Sequence, residues 1–181
     1  MRRSLTLLLA AVLAFAAVPA FAGDAPGSLG FKANNKMYSA DGKFETWSFT
    51  EVDIPDGDLT QGSVTMEVDL ASVWEKSAQL ADHLRTADFF DVSTFTTATV
   101  KIHGAEKTGD NTYSATATID FHGHTNDVPV EFTVTGTDPL QIEGTATLQR
   151  TAFGIGGAYD PSNDRSIVDD IAITLNATVG N

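Results

Sequence analysis

Two histidines one residue apart, His122 and His124, are the first side chains in this sequence able to hold a metal or move a proton. If one strand runs through His122-Gly123-His124, both imidazoles project from the same face, which is a common half of a metal site. The alternation before them sets His122 with Thr118 and Asp120 on a polar, outward face. No third ligand is evident beside them, although Asp120, Asp127 and His103 are candidates, and solvated surface histidines are the simpler account. Asp160-Pro161-Ser162-Asn163-Asp164 is acidic enough to attract calcium but lacks the spacing of a calcium loop, so a solvated turn is expected. Nucleophilic catalysis has little to work with. The chain has no cysteine and no G-x-S-x-G elbow, and its four histidines show no spacing that converges on a triad. No catalytic activity, metal or cofactor is expected.

Two arginines are more informative. Arg150 continues the apolar register Ile142, Ala146, Leu148 of its strand. A cation facing an apolar interior is costly unless it is paired. It must reach a carboxylate, backbone carbonyls, the end of the fold or an anionic ligand. Arg85 lies within Asp82-His83-Leu84-Arg85-Thr86-Ala87-Asp88-Phe89-Phe90-Asp91, where charges, a histidine and two adjacent phenylalanines meet. A pair with Asp82 or Asp88 is its plain explanation. Residues 77–88 read as a short helix, with Ser77 as the cap and Leu80 and Leu84 on one face. The two phenylalanines follow at its exit.

The elements that must position these groups are strands. Val64, Met66, Val68 and Leu70 alternate with polar residues, as do Tyr113, Ala115, Ala117, Ile119 and Phe121. Val128, Val130, Phe132 and Val134 repeat the pattern; so do Ile142, Ala146 and Leu148, and Ile171, Ile173, Leu175, Ala177 and Val179. With weaker segments at 29–33, 44–52 and 97–103, about eight half-buried antiparallel strands are expected. Turn signals stand at Asp41-Gly42, Asp56-Gly57-Asp58, residues 107–111 and Thr137-Asp138-Pro139. Eight such strands can close into a barrel that is filled by side chains or holds one ligand, and a two-layer sandwich satisfies the same pattern. The interior positions Ala33, Ala115, Ala117, Gly144, Ala146 and Ala177 are small, which favours a cavity. The helix cannot serve as a strand position and is expected to cover one end or an opening of the barrel.

Composition narrows the function classes. The net charge of −13, more negative still if Arg2 and Arg3 are removed, argues against nucleic acid and against lying flat on an anionic membrane. Arg2-Arg3, the apolar run at 5–18 and Ala20-Phe21-Ala22 form the pattern of a secretory signal peptide, with cleavage expected before Gly23. The apolar run is short for a membrane span. Residues 23–181 are then one exported domain whose stability, without disulfides, rests on its core and hydrogen-bond ladders.

Several of these segments, in order, resemble the YceI-like family. Ser28-Leu29-Gly30-Phe31 looks like its "S-x-x-F" and Gly42-Lys43-Phe44 its "G-x-F". Residues 82–91 resemble its fingerprint "D-x-H-L-R-S/T-x-D-F-F-D", the most specific match, and 95–100 its "Y-P-T-A-x-F" without the proline or the last phenylalanine. Residues 121–130 look like its "G-x-T-x-x-V" hairpin and 150–156 like "R-x-x-F-G-I-G". Two departures stand out: Ala81 where an arginine often precedes the fingerprint, and a longer loop at 157–164. The resemblance implies an all-β fold, an antiparallel eight-stranded lipocalin-like β-barrel with one short helix alongside. It also implies a periplasmic, non-catalytic carrier holding a polyisoprenoid or isoprenoid quinone in an apolar cavity.

Combined with the alternation, this gives the candidate ligand-binding residues Phe31, Phe44, Met66, Val68, Phe89, Phe90, Val100, Ile119, Phe121, Phe132, Leu148, Phe153, Ile155, Ile173 and Leu175, with Arg150 as a head-group contact. The expected partner is a long-chain isoprenoid lipid, with no nucleic acid and no stable membrane insertion, for a monomer or dimer. The alternatives are a ligand-free structural or stress-response barrel, a metal-binding protein using His122 and His124, and an enzyme acting on a bound lipid.

Overall fold

The computed structural model describes residues 26–137 and 139–179. The expected signal segment at 1–22 and Asp138 of the turn at 137–139 lie outside the described residues. The alternating segments all form strands: β1 (Gly27–Asn34), β2 (Ser39–Phe44), β3 (Trp47–Asp53), β4 (Ser63–Asp69), β5 (Val73–Glu75), β6 (Thr97–Lys107), β7 (Thr112–Phe121), β8 (His124–Thr135), β9 (Leu140–Gln149) and β10 (Asp170–Val179). They form one antiparallel sheet in the order β3-β4-β6-β7-β8-β9-β10-β1-β2-β5.

The ten strands amount to eight staves. β3 follows β2 after two residues and β5 follows β4 after one short turn of helix, so each pair is one bent stave. β3 pairs with β4, and β2 pairs with both β5 and β1. At the two bends Glu45 N–H donates to Ser72 O (3.2 Å) and Asp69 N–H to Thr46 O (3.0 Å). The two bent staves thereby meet, β3 against β4 and β2 against β5, and curl the sheet into a barrel.

Two sequence expectations are corrected. Asp41-Gly42 is not a turn but the middle of β2, where Gly42 pairs with Phe31 and Glu75. A Cβ at Gly42 would lie 2.2 Å from the Phe31 ring, so glycine here makes room for an aromatic lying across the strand. The turn before β2 is instead built by Asn35, whose Oδ1 accepts from the N–H groups of Met37 (2.8 Å) and Tyr38 (2.7 Å). Likewise, no strand runs through His122-Gly123-His124. Phe121 pairs with His124, and His122 (φ 53°) and Gly123 (φ 76°) are the two central residues of a tight hairpin whose twist matches the strands.

Helix α1 (Ala78–Leu84) begins where expected, with Ser77 Oγ accepting from Leu80 N–H (3.4 Å). It seals one end of the barrel. Ala81 and Leu84 are buried, and Leu84 packs with Val73, Phe90, Val128, Leu148, Phe153 and Ile155. Arg85, held by Asp82 (3.0 Å), points its guanidinium at β5, donating from Nε to Ala71 O (2.9 Å) and from Nη2 to Val73 O (2.6 Å). These carbonyls lie beyond Asp69, the last β4 residue paired to β6, so no strand is there to use them. Arg85→Met keeps most of the stem but strands both carbonyls. We expect it to cost about 2 kcal/mol, read as a lower urea midpoint at unchanged slope.

Candidate ligand cavity

The strands send Val, Ile, Leu and Phe inward, yet many of these residues are only half-buried: Phe44, Val100, Ile119, Phe132, Ile142 and Leu175 all retain surface although they face the lumen. The surface they retain faces a cavity of about 220 Å³. Among its lining side chains only Ser63, His103, Glu131 and Thr145 are polar. The His103 imidazole is engaged with Thr118 Oγ1 (3.0 Å), which itself donates to Asp127 Oδ1 (2.6 Å). Such walls offer water few hydrogen-bond partners and favour apolar guests, as apolar cavities of roughly 150 Å³ do. The small residues make the space. Ala117, Gly144 and Ala146 line it, whereas Ala33, Ala115 and Ala177 lie off the lining.

Of the sixteen side chains singled out from sequence, Phe31, Phe44, Met66, Val68, Val100 and Ile119 lie on the wall, as do Phe121, Phe132, Leu148, Ile173 and Leu175. Phe89, Phe90, Arg150, Phe153 and Ile155 do not; they belong to the floor beneath the cavity. Phe90 is buried at its centre, with its ring centroid 6.4 Å from Phe31, 5.8 Å from Phe44 and 5.5 Å from Phe121, and Phe153 sits 5.9 Å from Phe121. Phe89 is half-buried against His83 (4.9 Å). Wall residues missing from the sequence selection are of two kinds. Phe49, Val64, Ile102, Val130 and Ile142 lie on the same inward register and could have been read from it. Ile54 and Leu59 come from an irregular loop whose sequence has no period to read.

Arg150 is a structural closure and not a head-group contact. It is 4% exposed and reaches no carboxylate. Instead Nε donates to Val168 O (3.2 Å), Nη1 to Ile155 O and Gly157 O (both 2.7 Å), and Nη2 to Ile167 O (2.7 Å). The long loop between β9 and β10 is thereby wrapped around one guanidinium. Its acidic stretch is a turn: the Asp160 carboxylate accepts from Ser162 Oγ (2.6 Å) and N–H (2.9 Å), which hold its pKa below the ordinary range, and Asp164 pairs with Lys36 (2.9 Å).

His122 and His124 flank this floor from the hairpin. His122 Nδ1 lies 3.1 Å from Phe153 O, and its ring packs 4.6 Å from Phe95. Asp91 nearby is held below its usual pKa by the Ser93 and Thr94 hydroxyls first, with a smaller contribution from His122. Among the described residues no three His, Asp or Glu side chains converge as metal ligands.

The opposite end is the mouth. There the lining passes from strands into Ile54, Leu59 and Gly62 of the loop after β3, whose intervening residues are exposed. A bulge in β6 around Gly104 (φ 64°) and the turn after it stand at the same end. Asp58 fastens the loop. Its carboxylate accepts from Thr60 Oγ1 (2.7 Å) and N–H (2.9 Å), and these bonds lower its pKa.

Comparison with known proteins agrees with this architecture. The model of the YceI-like domain matches residues 24–179. A UPF0312 protein of Vibrio cholerae is 31% identical over 139 residues, covering 72% of this chain and 73% of its own. The crystal structure of Burkholderia cenocepacia BcnA superposes with a TM-score of 0.75 at 22% identity, covering 84% of this chain and 96% of that one. A polyisoprenoid binding domain from Saccharophagus degradans superposes with a TM-score of 0.63 at 16% identity, over 84% and 92% of the two chains.

Ala146 faces the lumen from β9, opposite Val130 and Ile173. We expect Ala146→Phe to fill the lumen and weaken uptake of an apolar fluorescent probe about tenfold, the equivalent of two unburied methylenes. The urea midpoint should not fall, which separates occlusion from misfolding.

Proposed function

The chain belongs to the YceI-like family, and from that footing we propose that it is a non-catalytic carrier for an isoprenoid-type lipid, working in the periplasm after export directed by residues 1–22. The observation that carries this reading is the lumen itself: a continuous apolar wall, open at one end and stopped at the other by packed phenylalanines. A methyl-branched tail suits it better than an enzyme's substrate would. The charged groups Arg150, Arg85 and Asp91 near the floor are all engaged in holding backbone or neighbouring hydroxyls. The Saccharophagus domain, described as polyisoprenoid binding, is consistent with such a guest.

The driving force is transfer of the tail from water to an apolar wall, about 0.8 kcal/mol per buried methylene. Ordering of the tail and loss of free motion take back a large share. We assign the contacts to the aromatic end of the wall (Phe31, Phe44 and Phe121) and to its aliphatic staves (Met66, Val68, Val100, Ile119, Leu148, Ile173 and Leu175), with Phe132 near the mouth.

Native mass spectrometry of protein recovered from an exporting host, followed by solvent extraction, tests this. The expected result is a protein mass carrying a stoichiometric adduct that extracts as an isoprenoid lipid. A bare polypeptide mass, together with no uptake of added isoprenoid, would favour the ligand-free barrel instead.

A further inference from the structure

The two ends of the barrel differ in how their charges are matched. Every ion pair among the described residues lies in the half that carries the floor: Lys32–Asp41, Lys36–Asp164, Lys43–Glu45 and Arg85–Asp82. The mouth has none. Asp53, Asp56 and Asp58 belong to the loop that brings Ile54 and Leu59 into the lining, Glu106 follows the β6 bulge, and Asp110 lies in the next turn. All five are exposed, and Lys107 is the only cation in these segments. Glu131, also exposed, borders the lining from β8. The Asp58 carboxylate accepts from Thr60 Oγ1 and N–H and is in no ion pair among the described residues.

A guest whose tail runs towards the floor must leave its head at this rim. The reverse orientation is disfavoured, because the floor is built of packed apolar side chains and both nearby guanidiniums are already engaged, Arg150 by four carbonyls and Arg85 by two carbonyls and Asp82. At the rim a phosphorylated head would meet several carboxylates that are in no ion pair among the described residues. Low-dielectric walls around a narrow opening focus such a field onto whatever sits there. We propose that the acidic rim is a charge filter, which makes the cavity selective for isoprenoid amphiphiles with an uncharged head and turns away those ending in phosphate. This rests on the carrier reading and specifies its substrate class.

Farnesol and farnesyl phosphate share one tail and differ only at the head. Their competition against a bound apolar fluorophore, measured on the full chain, isolates the filter. At about 10 mM salt the alcohol should bind roughly tenfold more tightly, and the gap should narrow several-fold in about 1 M salt, where the screening length is only a few ångströms. In the triple variant D53N/D56N/E106Q, affinity for the phosphate should rise more than affinity for the alcohol. Equal or tighter binding of the phosphate by the parent protein overturns the proposal, and so does a preference for the alcohol that survives both high salt and the triple variant, since that would be steric. If neither compound displaces the fluorophore, the carrier reading itself fails and the filter falls with it.

Discussion

Backbone carbonyls at the sealed end of the barrel have no strand to pair with, and two guanidinium groups satisfy them. Arg85 takes the carbonyls of Ala71 and Val73 on the stave that outruns β6. Arg150 takes four more from the loop before β10. An unsatisfied buried carbonyl costs on the order of 1–3 kcal/mol; that penalty applies in full to Ile155 O and in part to the half-buried carbonyls of Val73, Val168, Gly157 and Ile167. A planar fork of fixed donors suits this task better than lysine, whose charge is a single point. With the carbonyls consumed, Phe90 and Phe153 can close the end by packing alone, and the lumen above them keeps a largely apolar wall.

That closure determines what the rest of the barrel can do. A lumen open at both ends would be a wet channel, and a lumen filled throughout would be an ordinary core. Here the fill is uneven. Bulky aromatics crowd the floor, and Phe31, Phe44 and Phe121 serve both as its upper layer and as the first part of the wall. Further along, glycine and alanine at 144, 146 and 117 thin the wall. The taper leaves a blind, one-ended pocket whose depth is set by the staves and whose width is set by a few small residues.

Much of this was legible in the sequence because strand alternation is imposed by burial itself, and each long stave showed it. The errors arose where a local signal had a non-local cause. Asp41-Gly42 has the composition of a turn, but Gly42 is small because the Phe31 ring crosses above it from the neighbouring strand. His122-Gly123-His124 read as a continued strand because its flanks alternate, yet a non-glycine residue at positive φ gave no warning in composition. Arg150 sits on the inward register, and the choice between ligand contact and structural closure turned on carbonyls as far as eighteen residues away in sequence. Phe89, Phe90, Phe153 and Ile155, chosen as ligand contacts, lie off the cavity lining and pack at its closed end. Alternation cannot say whether an inward residue meets a cavity or a floor, because both are apolar.

The matched charges near the floor and the unmatched ones at the rim have a common physical basis. Near the floor, cross-strand neighbours such as Lys32 and Asp41 face each other across the regular β1–β2 ladder, where pairing follows from register. At the rim the chain runs through loops, a bulge and turns, where no register brings opposite charges together. Exposed pairs add little stability, so the fold gains little from neutralising the rim and loses little by leaving it bare. The stability of the barrel and the electrostatics of its opening are thereby separated. The closed end is fixed by hydrogen bonds and packing, whereas the charge at the mouth is carried by surface residues that contribute little to folding. A substitution there is expected to change the charge at the opening and leave the cavity itself intact.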